Sequence, residues 1–462
     1  MDKFLIEGPC RLKGQVKISG SKNASLPILA ATLLFDKSVT IKNLPRVRDI
    51  ETMLSLLKSL GSKISLSKDK RTARIQNKKN MKTIASYSLV KTMRGSILVL
   101  GPLVSKFQKS ITSLPGGCLI GARPVNYHLS ALKKLGMKYD IKKGYIHAKS
   151  NGKLRGTTIT FSNISVGATE NTIIAACLAN GKTVLKNCAV EPEIKDLTNF
   201  LNTAGANIKW KGRTCEIVGV KFLNETEYSV MADRIEAGTF CVAATLTKGE
   251  LEVKNLNPKI INTELNLLKK VGAKIKTSQN KILIKGPDKI KPIKNIKTKE
   301  YPSFPTDLQA QFMVLLCRAN GKSSITESIF ENRFMHVAEL QRLGAKIFIE
   351  NNKAIIEGKT DFNGAELMSS DLRASVALVL AAIVANGKSI INRIYHLDRG
   401  YENIENKLKK IGVKIKRLKW VKKNNEYEID LIFNNNALIS LGTEAIEVRL
   451  EDQTNTDEIF KF

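Results

Sequence analysis

The stretch Leu60-Gly61-Ser62-Lys63-Ile64 predicts the end of a helix, a glycine and the start of a strand. Glycine is typical of the left-handed residue that follows a helix, and it lets the chain turn directly into the strand. The pattern returns five more times, with glycines 67 to 75 residues apart, at Gly136, Gly205, Gly272, Gly344 and Gly412. A repeat of this period indicates six copies of one structural unit.

Each unit is predicted to contain an apolar helix, a strand, an amphipathic helix and a β-hairpin. In the first unit Ile50, Leu54 and Leu57 recur at helical spacing, with Asp49 as a candidate N-cap. The strand–helix–strand order predicts parallel pairing with right-handed crossovers, and the hairpin adds antiparallel strands. The predicted class is therefore α/β with mixed sheets.

Six units in 462 residues predict two globular domains of three units each. The repeats alone place the cut in the polar stretch 223–228. After Ile415 the repeat stops, and Glu426 to Phe462 carries nine acidic and two basic residues, which reverses the charge of the body. Residues 417–462 are therefore predicted to be an acidic C-terminal appendage of unknown role, with a strand near 428–433.

The chain has 75 Lys and Arg against 42 Asp and Glu, a net charge of +33. The basic residues are spread along the whole chain and aromatic residues make up only 6%, so we expect attraction of small anions and no nucleic-acid partner. No apolar stretch reaches the roughly 18 residues that a membrane span needs. The first residues, Met1 to Gly8, lack the apolar core of a signal peptide.

The seven cysteines are scattered and never spaced Cys-x-x-Cys, and the four histidines form no His-Glu-x-x-His motif. This pattern favours a reducing cytoplasm over a disulfide framework, and no metal or cofactor is expected. Asn180-Gly181-Lys182-Thr183 and two similar tetrapeptides imitate the end of a phosphate-binding loop. The earlier glycine of that motif is replaced, as at Ala176, so these stretches are interpreted as helix ends.

The most reactive stretch is expected at 115–123, Pro-Gly-Gly-Cys-Leu-Ile-Gly-Ala-Arg. Its three glycines allow several backbone N–H groups to face one anion, and Arg123 adds a permanent positive charge. A thiol in such surroundings has a lowered pKa and a higher reactivity, which would apply to Cys118. Taken alone, the stretch is equally compatible with a glycine-rich turn and an inert thiol.

Further motifs occur in a fixed order on the repeats and resemble the enolpyruvyl transferase family, specifically the UDP-N-acetylglucosamine 1-carboxyvinyltransferases. The similarity runs from about Phe4 to Ile415. Ser21 and Gly95 replace an alanine that is more usual in the family. The motifs are Gly20-Ser-Lys-Asn-Ala24, Met93-Arg-Gly-Ser96, Leu114-Pro-Gly-Gly-Cys118, Ser165-Val-Gly-Ala-Thr169, Phe304-Pro-Thr-Asp307, Phe330-Glu-Asn-Arg-Phe334, Asp371-Leu-Arg-Ala374 and Asp398-Arg-Gly-Tyr401.

The resemblance implies two inverse α/β barrel domains, each of three βαβαββ-type units, with the active site in the cleft between them. Residues 22–232 would form one barrel, which carries the Cys118 loop. Residues 1–21 and 233–416 would form the other barrel. The chain would then pass between the two barrels twice, which the repeats alone do not predict. The implied protein is a cytoplasmic monomer.

The implied reaction transfers the enolpyruvyl group of phosphoenolpyruvate to the 3′-hydroxyl of UDP-N-acetylglucosamine (UDP-GlcNAc) and releases phosphate. It is the first committed step of peptidoglycan synthesis in this family. It proceeds by addition and elimination, needs proton transfers, and uses cationic side chains in place of a metal. The two substrates are the only partners that the resemblance implies.

By the same resemblance, Cys118 is the general acid and the site of a covalent adduct, including one with the epoxide fosfomycin. Asp307 is the candidate base, and we expect nearby anions and burial to raise its pKa. Lys22 and Arg399 complete the implied catalytic set, and Asp371 is expected to orient one of them. The phosphoenolpyruvate-binding residues would be Lys22, Asn23, Arg94, Arg123, Asp371, Arg373 and Arg399.

UDP-GlcNAc would contact two stretches of the first barrel and a few single residues. Ser165 and Gly167 are predicted to begin a helix, whose N-terminus favours a phosphate. Asn126 stands where the family often has Asp, so a uracil contact may differ there. The implied set is Asn23, Arg94, Arg123, Pro124, Val125, Asn126, Tyr127, Asn163, Ile164, Ser165, Val166, Gly167, Asp307 and Ile329.

Two alternatives are kept open at this point. The first is 3-phosphoshikimate 1-carboxyvinyltransferase, which shares the fold and the donor, although the Pro-Gly-Gly-Cys stretch argues against it. The second is a basic, non-catalytic binding protein on the same fold. The joint presence of Lys22, Cys118, Asp307 and Arg399 argues against this alternative.

Overall fold

The computed structural model describes residues 1–115, 125–423, 426–430, 447–448 and 460–461. Cys118, Arg123 and Pro124 lie outside the described residues. The α-helices are α1 (Lys22–Ala31), α2 (Arg48–Leu60), α3 (Tyr87–Val90), α4 (Leu100–Phe107), α5 (Asn126–Lys134), α6 (Val166–Ala176), α7 (Pro192–Thr203), α8 (Arg234–Leu246), α9 (Asn262–Lys270), α10 (Gln309–Cys317), α11 (Val337–Arg342), α12 (Leu372–Val384) and α13 (Ile404–Lys410).

The strands are β1 (Lys3–Gly8), β2 (Lys13–Lys17), β3 (Val39–Lys42), β4 (Ser62–Leu66), β5 (Ala73–Asn77), β6 (Ile84–Ala85), β7 (Lys109–Ser113), β8 (Met137–Lys142), β9 (Tyr145–Ser150), β10 (Thr158–Thr160), β11 (Lys182–Lys186), β12 (Asn207–Lys211), β13 (Thr214–Val218), β14 (Thr226–Ser229), β15 (Glu250–Lys254), β16 (Lys274–Ser278), β17 (Lys281–Lys285), β18 (Ile296–Lys297), β19 (Ser323–Thr326), β20 (Ile347–Glu350), β21 (Lys353–Ile356), β22 (Glu366–Met368), β23 (Gly387–Asn392), β24 (Lys414–Lys423), β25 (Glu426–Asp430), β26 (Glu447–Val448) and β27 (Phe460–Lys461).

The sheets are mixed, as the repeat predicted. In one of them β10 pairs in parallel with β11, and β11 pairs antiparallel with β13, which forms a hairpin with β12. The same strand order recurs in the sheets β14-β3-β5-β4, β6-β7-β9-β8 and β18-β19-β21-β20. The α/β class with one mixed sheet per unit is therefore confirmed.

Buried apolar side chains form two separate clusters. One cluster contains residues between 24 and 230, and the other contains residues 4–18 together with residues 235–415. We call the parts of the chain around them the first lobe and the second lobe. The N-terminal strands belong to the second lobe, because β1 pairs with β23 and β2 pairs with β15.

The chain passes between the lobes twice, and the two passages lie side by side. The Ser21 N–H donates to the Met231 carbonyl at 2.7 Å, and the Asp233 N–H donates to the Ser19 carbonyl at 2.9 Å. A Cβ atom at Gly20 would lie 1.7 Å from the Asn43 carbonyl oxygen, so this crossing requires glycine. The crossing places the first residue of α1 at the junction of the lobes.

The central helices differ from the outer ones in the way that their sequences predict. All residues of α12 except Leu372 are buried, because the helix is apolar on every side. In contrast, α2 buries one face that includes Ile50, Met53 and Leu57, and it ends at Gly61 with a φ of 115°. In the part of the chain that the structure describes, no helix is both long and apolar enough to span a membrane.

The end of the second lobe differs from the sequence prediction. Strand β24 pairs with β1 in a register that includes Lys3 with Leu418, so the boundary expected after residue 416 falls inside a strand. Arg417 contacts Asp398 at 2.6 Å and Glu405 at 2.8 Å. Arg417 and Leu418 therefore belong to the lobe, and the strand expected near 428–433 is β25 at Glu426–Asp430.

Two truncated proteins are expected to differ in stability for this reason. Deletion from Arg417 onward removes seven of the ten residues of β24 and leaves Asp398 and Glu405 without their shared guanidinium, whose side chain is only 18% exposed. We expect the free energy of unfolding to fall by about 3 kcal/mol or more, the usual cost of breaking a buried ion pair. Deletion from residue 431 onward should leave the thermal unfolding midpoint nearly unchanged. Equal midpoints for the two truncations would contradict this assignment.

Candidate active site

Charged side chains of both lobes meet where the lobes face each other. The first lobe contributes the N-terminal turns of α1 and α2. The second lobe contributes the start of α12, the 3-10 turn Thr306–Leu308 and the 3-10 segment Ile394–Arg399. The contacts between these segments define the candidate site.

Lys22 and Arg399 are joined by one buried carboxylate. Lys22 is the first residue of α1, and its Nζ lies 3.4 Å from Oδ2 of Asp49. Arg399, from the other lobe, places its Nε 3.0 Å from Oδ1 of Asp49, whose side chain is 5% exposed. Burial lowers the pKa of Lys22, and the Asp49 charge opposes this shift. The two cations are thereby held side by side across the junction of the lobes.

The position of Asp49 corrects the sequence prediction that it caps α2. The N-cap residue is Val47, and Asp49 lies inside the first turn, which aims its carboxylate at the neighbouring segments. Sequence spacing could not separate these possibilities, because an Asp in the first turn is favourable for the helix in either case.

Asp307 lies between two arginines. Its Oδ1 is 3.0 Å from Nη2 of Arg333, and its Oδ2 is 2.8 Å from Nη2 of Arg373. Both guanidinium groups are almost fully buried, whereas the Asp307 side chain is 27% exposed. The Asp307 carboxylate is therefore accessible to a ligand and is held in place by two buried arginines.

The pKa of Asp307 corrects a second expectation. Burial alone would raise this pKa, but the charges of Arg373 and Arg333 outweigh burial and hold it well below its usual range. The carboxylate is therefore ionised in this structure, which a proton acceptor requires.

Arg373 is itself held by a polar network in the second lobe. Its Nη1 donates to the Tyr401 hydroxyl at 3.3 Å, and that hydroxyl lies 2.8 Å from Oγ1 of Thr239. Gln311 Nε2 donates to the Asp307 carbonyl at 3.0 Å, which fixes the backbone of the 3-10 turn that carries Asp307. These contacts leave the Arg373 side chain little freedom to reorient.

The expectation that Asp371 orients Lys22 or Arg399 stays a prediction, and the structure gives Asp371 a role in the second lobe. Asp371 is the N-cap of α12, and its Oδ1 accepts from the backbone N–H of Arg373 at 2.8 Å. Asp49 is a carboxylate that contacts both Lys22 and Arg399.

The residues expected to contact UDP-GlcNAc in the first lobe lie side by side. Val125 to Tyr127 form the start of α5, and the Tyr127 hydroxyl accepts from Nδ2 of Asn163 at 2.6 Å. Ser165 is the N-cap of α6, as predicted, and its Oγ accepts from the Ala168 N–H at 3.3 Å. Ile164 is half-buried and Val166 is exposed.

Gly167 and the remaining expected residues have distinct surroundings. A Cβ atom at Gly167 would lie 3.1 Å from the His128 ring, so glycine keeps α5 and α6 close together. Asn23 follows Lys22 in α1 and is half-buried, as is Arg94 at the start of the 3-10 helix Arg94–Val99. Ile329 lies in the second lobe, where its N–H donates to Glu327.

The chain matches one family model over residues 6–408, described as EPSP synthase (3-phosphoshikimate 1-carboxyvinyltransferase). Among curated relatives, a UDP-N-acetylglucosamine 1-carboxyvinyltransferase of Pelagibacter ubique is 64% identical over 419 residues. These residues cover 90% of this chain and 100% of the relative. The chain belongs to the UDP-N-acetylglucosamine 1-carboxyvinyltransferase family. A further relative of that name, from Pseudoalteromonas atlantica, is 49% identical over 91% of this chain and 100% of its own length.

Solved structures of more distant enolpyruvyl transferases share the fold. NikO from Streptomyces tendae has a TM-score of 0.82 at 22% identity and covers 90% of this chain and 98% of its own. EPSP synthase from Acinetobacter baumannii has a TM-score of 0.71 at 19% identity, over 90% of this chain and 100% of its own. The expected enolpyruvyl transferase fold is therefore confirmed for this member of the UDP-N-acetylglucosamine 1-carboxyvinyltransferase family.

Sequence reasoning missed some residues that this family member places at the site. Arg333 belonged to a recognised motif but received no role, and Asp49 was assigned to a helix cap. Neither Arg46 nor Arg71 carried any signal, because their partner Glu402 is more than 300 residues away in the chain. Among the described residues, no group of three or more His, Cys, Asp or Glu side chains is arranged to hold a metal.

Glu402 forms a second ionic contact between the lobes. Its side chain is 1% exposed, and its Oε1 lies 2.6 Å from Nε of Arg46 and 2.7 Å from Nη2 of Arg71. Arg46 precedes Asp49 by three residues, and Glu402 follows Arg399 by three residues. The segments that contain the Arg46–Glu402 ion pair therefore also contain the Asp49–Arg399 ion pair.

Replacement of Glu402 by Gln is expected to weaken the alignment of the two lobes. Because both arginines are more than a third exposed, we expect the loss to be about 1 kcal/mol, seen as a roughly fivefold increase in the KM for phosphoenolpyruvate. Lys414→Met is the matched control, since it breaks an exposed ion pair with Glu7 within one lobe. An equal change in KM in both variants would show that Glu402 has no special effect on the cleft.

Proposed function

We propose that this protein transfers the enolpyruvyl group of phosphoenolpyruvate to the 3′-hydroxyl of UDP-GlcNAc and releases phosphate. The observation that carries the proposal is the 64% identity, over its full length, with a relative that has this name. The cation-rich junction of the lobes supports it, because phosphoenolpyruvate is a small, highly charged anion.

The binding of phosphoenolpyruvate is assigned to the cations at this junction. Lys22 and Arg399 are already held together by Asp49 and would act on one anionic group as a preformed pair. Arg373 is fixed by Tyr401 and lies within the same cluster. Asn23, Arg94, Arg123 and Asp371 complete the proposed phosphoenolpyruvate set. Preformed positive charge costs no reorganisation when charge develops in the transition state.

Asp307 is assigned as the base that accepts the proton of the 3′-hydroxyl. Its carboxylate is ionised and partly exposed, so it can accept a hydrogen bond from the sugar. The hydroxyl oxygen then adds to the carbon that bears the phosphate, while the methylene carbon takes a proton from an acid, which we assign to Cys118. Loss of a proton from the resulting methyl group and departure of phosphate regenerate the double bond.

UDP-GlcNAc is proposed to lie along the first lobe. The N-terminus of α6 at Ser165 offers backbone N–H groups to a phosphate, and the neighbouring Tyr127 and Asn163 present polar groups. Ile329 and Asp307 would contact the sugar from the second lobe. The remaining proposed contacts are Asn23, Arg94, Arg123, Pro124, Val125, Asn126, Ile164, Val166 and Gly167.

Phosphate release from phosphoenolpyruvate tests this function. We expect release to require UDP-GlcNAc and to be absent with shikimate 3-phosphate, the acceptor of the enzyme for which the matching family model is named. Equal or faster release with shikimate 3-phosphate would overturn the assignment. The absence of release with either acceptor would favour a non-catalytic binding protein.

We also propose that the protein acts in the cytoplasm as a monomer. The cysteines that the structure describes are free thiols, which suits a reducing compartment. Both lobes of one chain supply the described site, so a second chain is not needed to complete it. Light scattering during size-exclusion chromatography would test the monomer directly.

A further inference from the structure

Glu327 is a buried carboxylate in the second lobe that received no role from the sequence. It follows directly after β19, and its relative exposure is 2%. Its Oε2 accepts a hydrogen bond from Oγ1 of Thr306 at 2.8 Å. Its Oε1 accepts from Oγ1 of Thr298 at 2.9 Å, from the Ile329 N–H at 2.8 Å and from the Phe330 N–H at 3.2 Å.

These hydrogen bonds join the two segments that form the Asp307 site. Thr306 immediately precedes Asp307 in the 3-10 turn. Ile329 and Phe330 begin the segment that reaches Arg333, and Arg333 is paired with Asp307 at 3.0 Å. The distance between the two segments is therefore set twice, once by the Arg333–Asp307 ion pair and once by Glu327 behind it.

The environment of Glu327 favours a positioning role over a chemical one. A buried carboxylate is costly unless hydrogen bonds satisfy its oxygen atoms, and both oxygen atoms of Glu327 are satisfied. With four donors fixed on it, the group cannot rotate toward a substrate. A single rigid carboxylate can hold both segments at one spacing, which the geometry of a reacting group requires.

We propose that Glu327 is a positioning residue that sets the place of the Asp307 carboxylate relative to the Ile329 segment. The inference rests on the proposed function, in which Asp307 accepts the proton of the sugar hydroxyl and Ile329 contacts the sugar. We call the hydrogen bond from Thr306 to Glu327 the arm to the base, because it positions the turn that carries Asp307. We call the hydrogen bonds from the Ile329 and Phe330 N–H groups the arm to the sugar contact, because they position Ile329.

Four variants test this inference, and one of them removes the arm to the base alone. Glu327→Ala removes every contact, and we expect kcat/KM to fall on the order of 100-fold, the typical cost of a displacement of about 1 Å at a reacting group. Thr306→Val removes only the arm to the base, so we expect kcat to fall about 10-fold with little change in the KM for UDP-GlcNAc. Glu327→Gln should retain most activity, because its amide oxygen can accept from the backbone and its amide N–H can donate to Thr306.

Thr298→Val is the matched control. It also removes one hydrogen bond to Glu327, and it deprives the Ser328 N–H of its acceptor, but it touches neither arm. We expect it to lower the thermal unfolding midpoint at least as much as Thr306→Val does, while kcat stays within about twofold of wild type. If the loss of activity follows the loss of stability across all variants, Glu327 is merely structural and the inference is overturned.

The outcomes also separate this inference from the proposed function. A double-mutant cycle should show that Thr306→Val costs little further activity once Asp307 is replaced by Asn. If Asp307→Asn is inactive but Thr306→Val and Glu327→Ala retain wild-type turnover, the inference fails and the proposed function stands. If wild-type protein releases no phosphate with UDP-GlcNAc, the proposed function itself fails. A strong loss in Glu327→Gln would contradict the positioning role, because that variant preserves the contacts and removes only the charge.

Discussion

Asp307→Asn is expected to lower turnover by about 10²- to 10⁴-fold, the usual contribution of a general acid–base group, while UDP-GlcNAc still binds. The amide keeps the shape of the side chain and one acceptor oxygen, but it cannot take the proton of the sugar hydroxyl. The measurement is steady-state phosphate release together with calorimetric binding of UDP-GlcNAc.

The structure adds a control for this variant. Asp361→Asn also removes a carboxylate from an arginine, since Asp361 lies 2.6 Å from Arg318, but this pair lies on the exposed surface. We expect Asp361→Asn to have normal turnover. Near-normal turnover in Asp307→Asn would remove Asp307 from the mechanism.

The pH dependence follows from the direction of the Asp307 shift. Because Arg373 and Arg333 hold the pKa of Asp307 well below its usual range, the carboxylate stays ionised at any pH above about 4 in the free enzyme. We therefore expect no acid limb from Asp307 in the profile of kcat/KM above that pH, since this profile reports groups of the free enzyme. An acid limb above about pH 4 that disappears in Asp307→Asn would contradict the lowered pKa.

Cys118→Ser is expected to lose most turnover, because a hydroxyl is a far weaker acid than a thiol and cannot protonate the methylene carbon effectively. Fosfomycin should label Cys118 in the wild-type protein and should leave the Cys118→Ser variant unlabelled. The reason lies in the sequence, where three glycines and Arg123 surround this thiol and favour its ionised form. Peptide mass mapping after treatment would identify the modified residue.

The other described thiols offer little competition. Burial raises the pKa of Cys177, Cys188, Cys241 and Cys317 to about 12, so they stay protonated at neutral pH. Cys10 is only half-buried and donates to the Glu7 carbonyl at 3.1 Å, which makes Cys10→Ser the useful control. Labelling should persist in Cys10→Ser. Full activity after complete modification of Cys118 would remove it from the mechanism.

The repeat predicted the local structure well because each unit is encoded locally. The glycine that ends each amphipathic helix and the hairpin that follows it lie within a few residues of each other, so spacing alone reveals them. Gly61, with its φ of 115°, illustrates this agreement. The end of the second lobe was misplaced because β24 depends on pairing with β1, at the opposite end of the chain.

The site was predicted where short motifs carried it and missed where distant residues meet. Lys22, Asp307, Arg373 and Arg399 were identified within their motifs, and the structure brings them to the junction of the lobes. The role of Asp49 depends on Arg399, which is 350 residues away. The direction of the shift in the Asp307 pKa depends on Arg333 and Arg373. No spacing rule predicts that these two arginines lie next to Asp307.

Detection of the product by NMR tests the central claim most directly. The protein would be incubated with UDP-GlcNAc and with phosphoenolpyruvate that is isotope-labelled at the carbon bearing the phosphate. We predict that the label appears in an enol ether coupled to the 3′ position of the sugar, with one phosphate released for each ether formed. A label that stays in phosphoenolpyruvate, appears as free pyruvate, or joins a different sugar position would contradict the account.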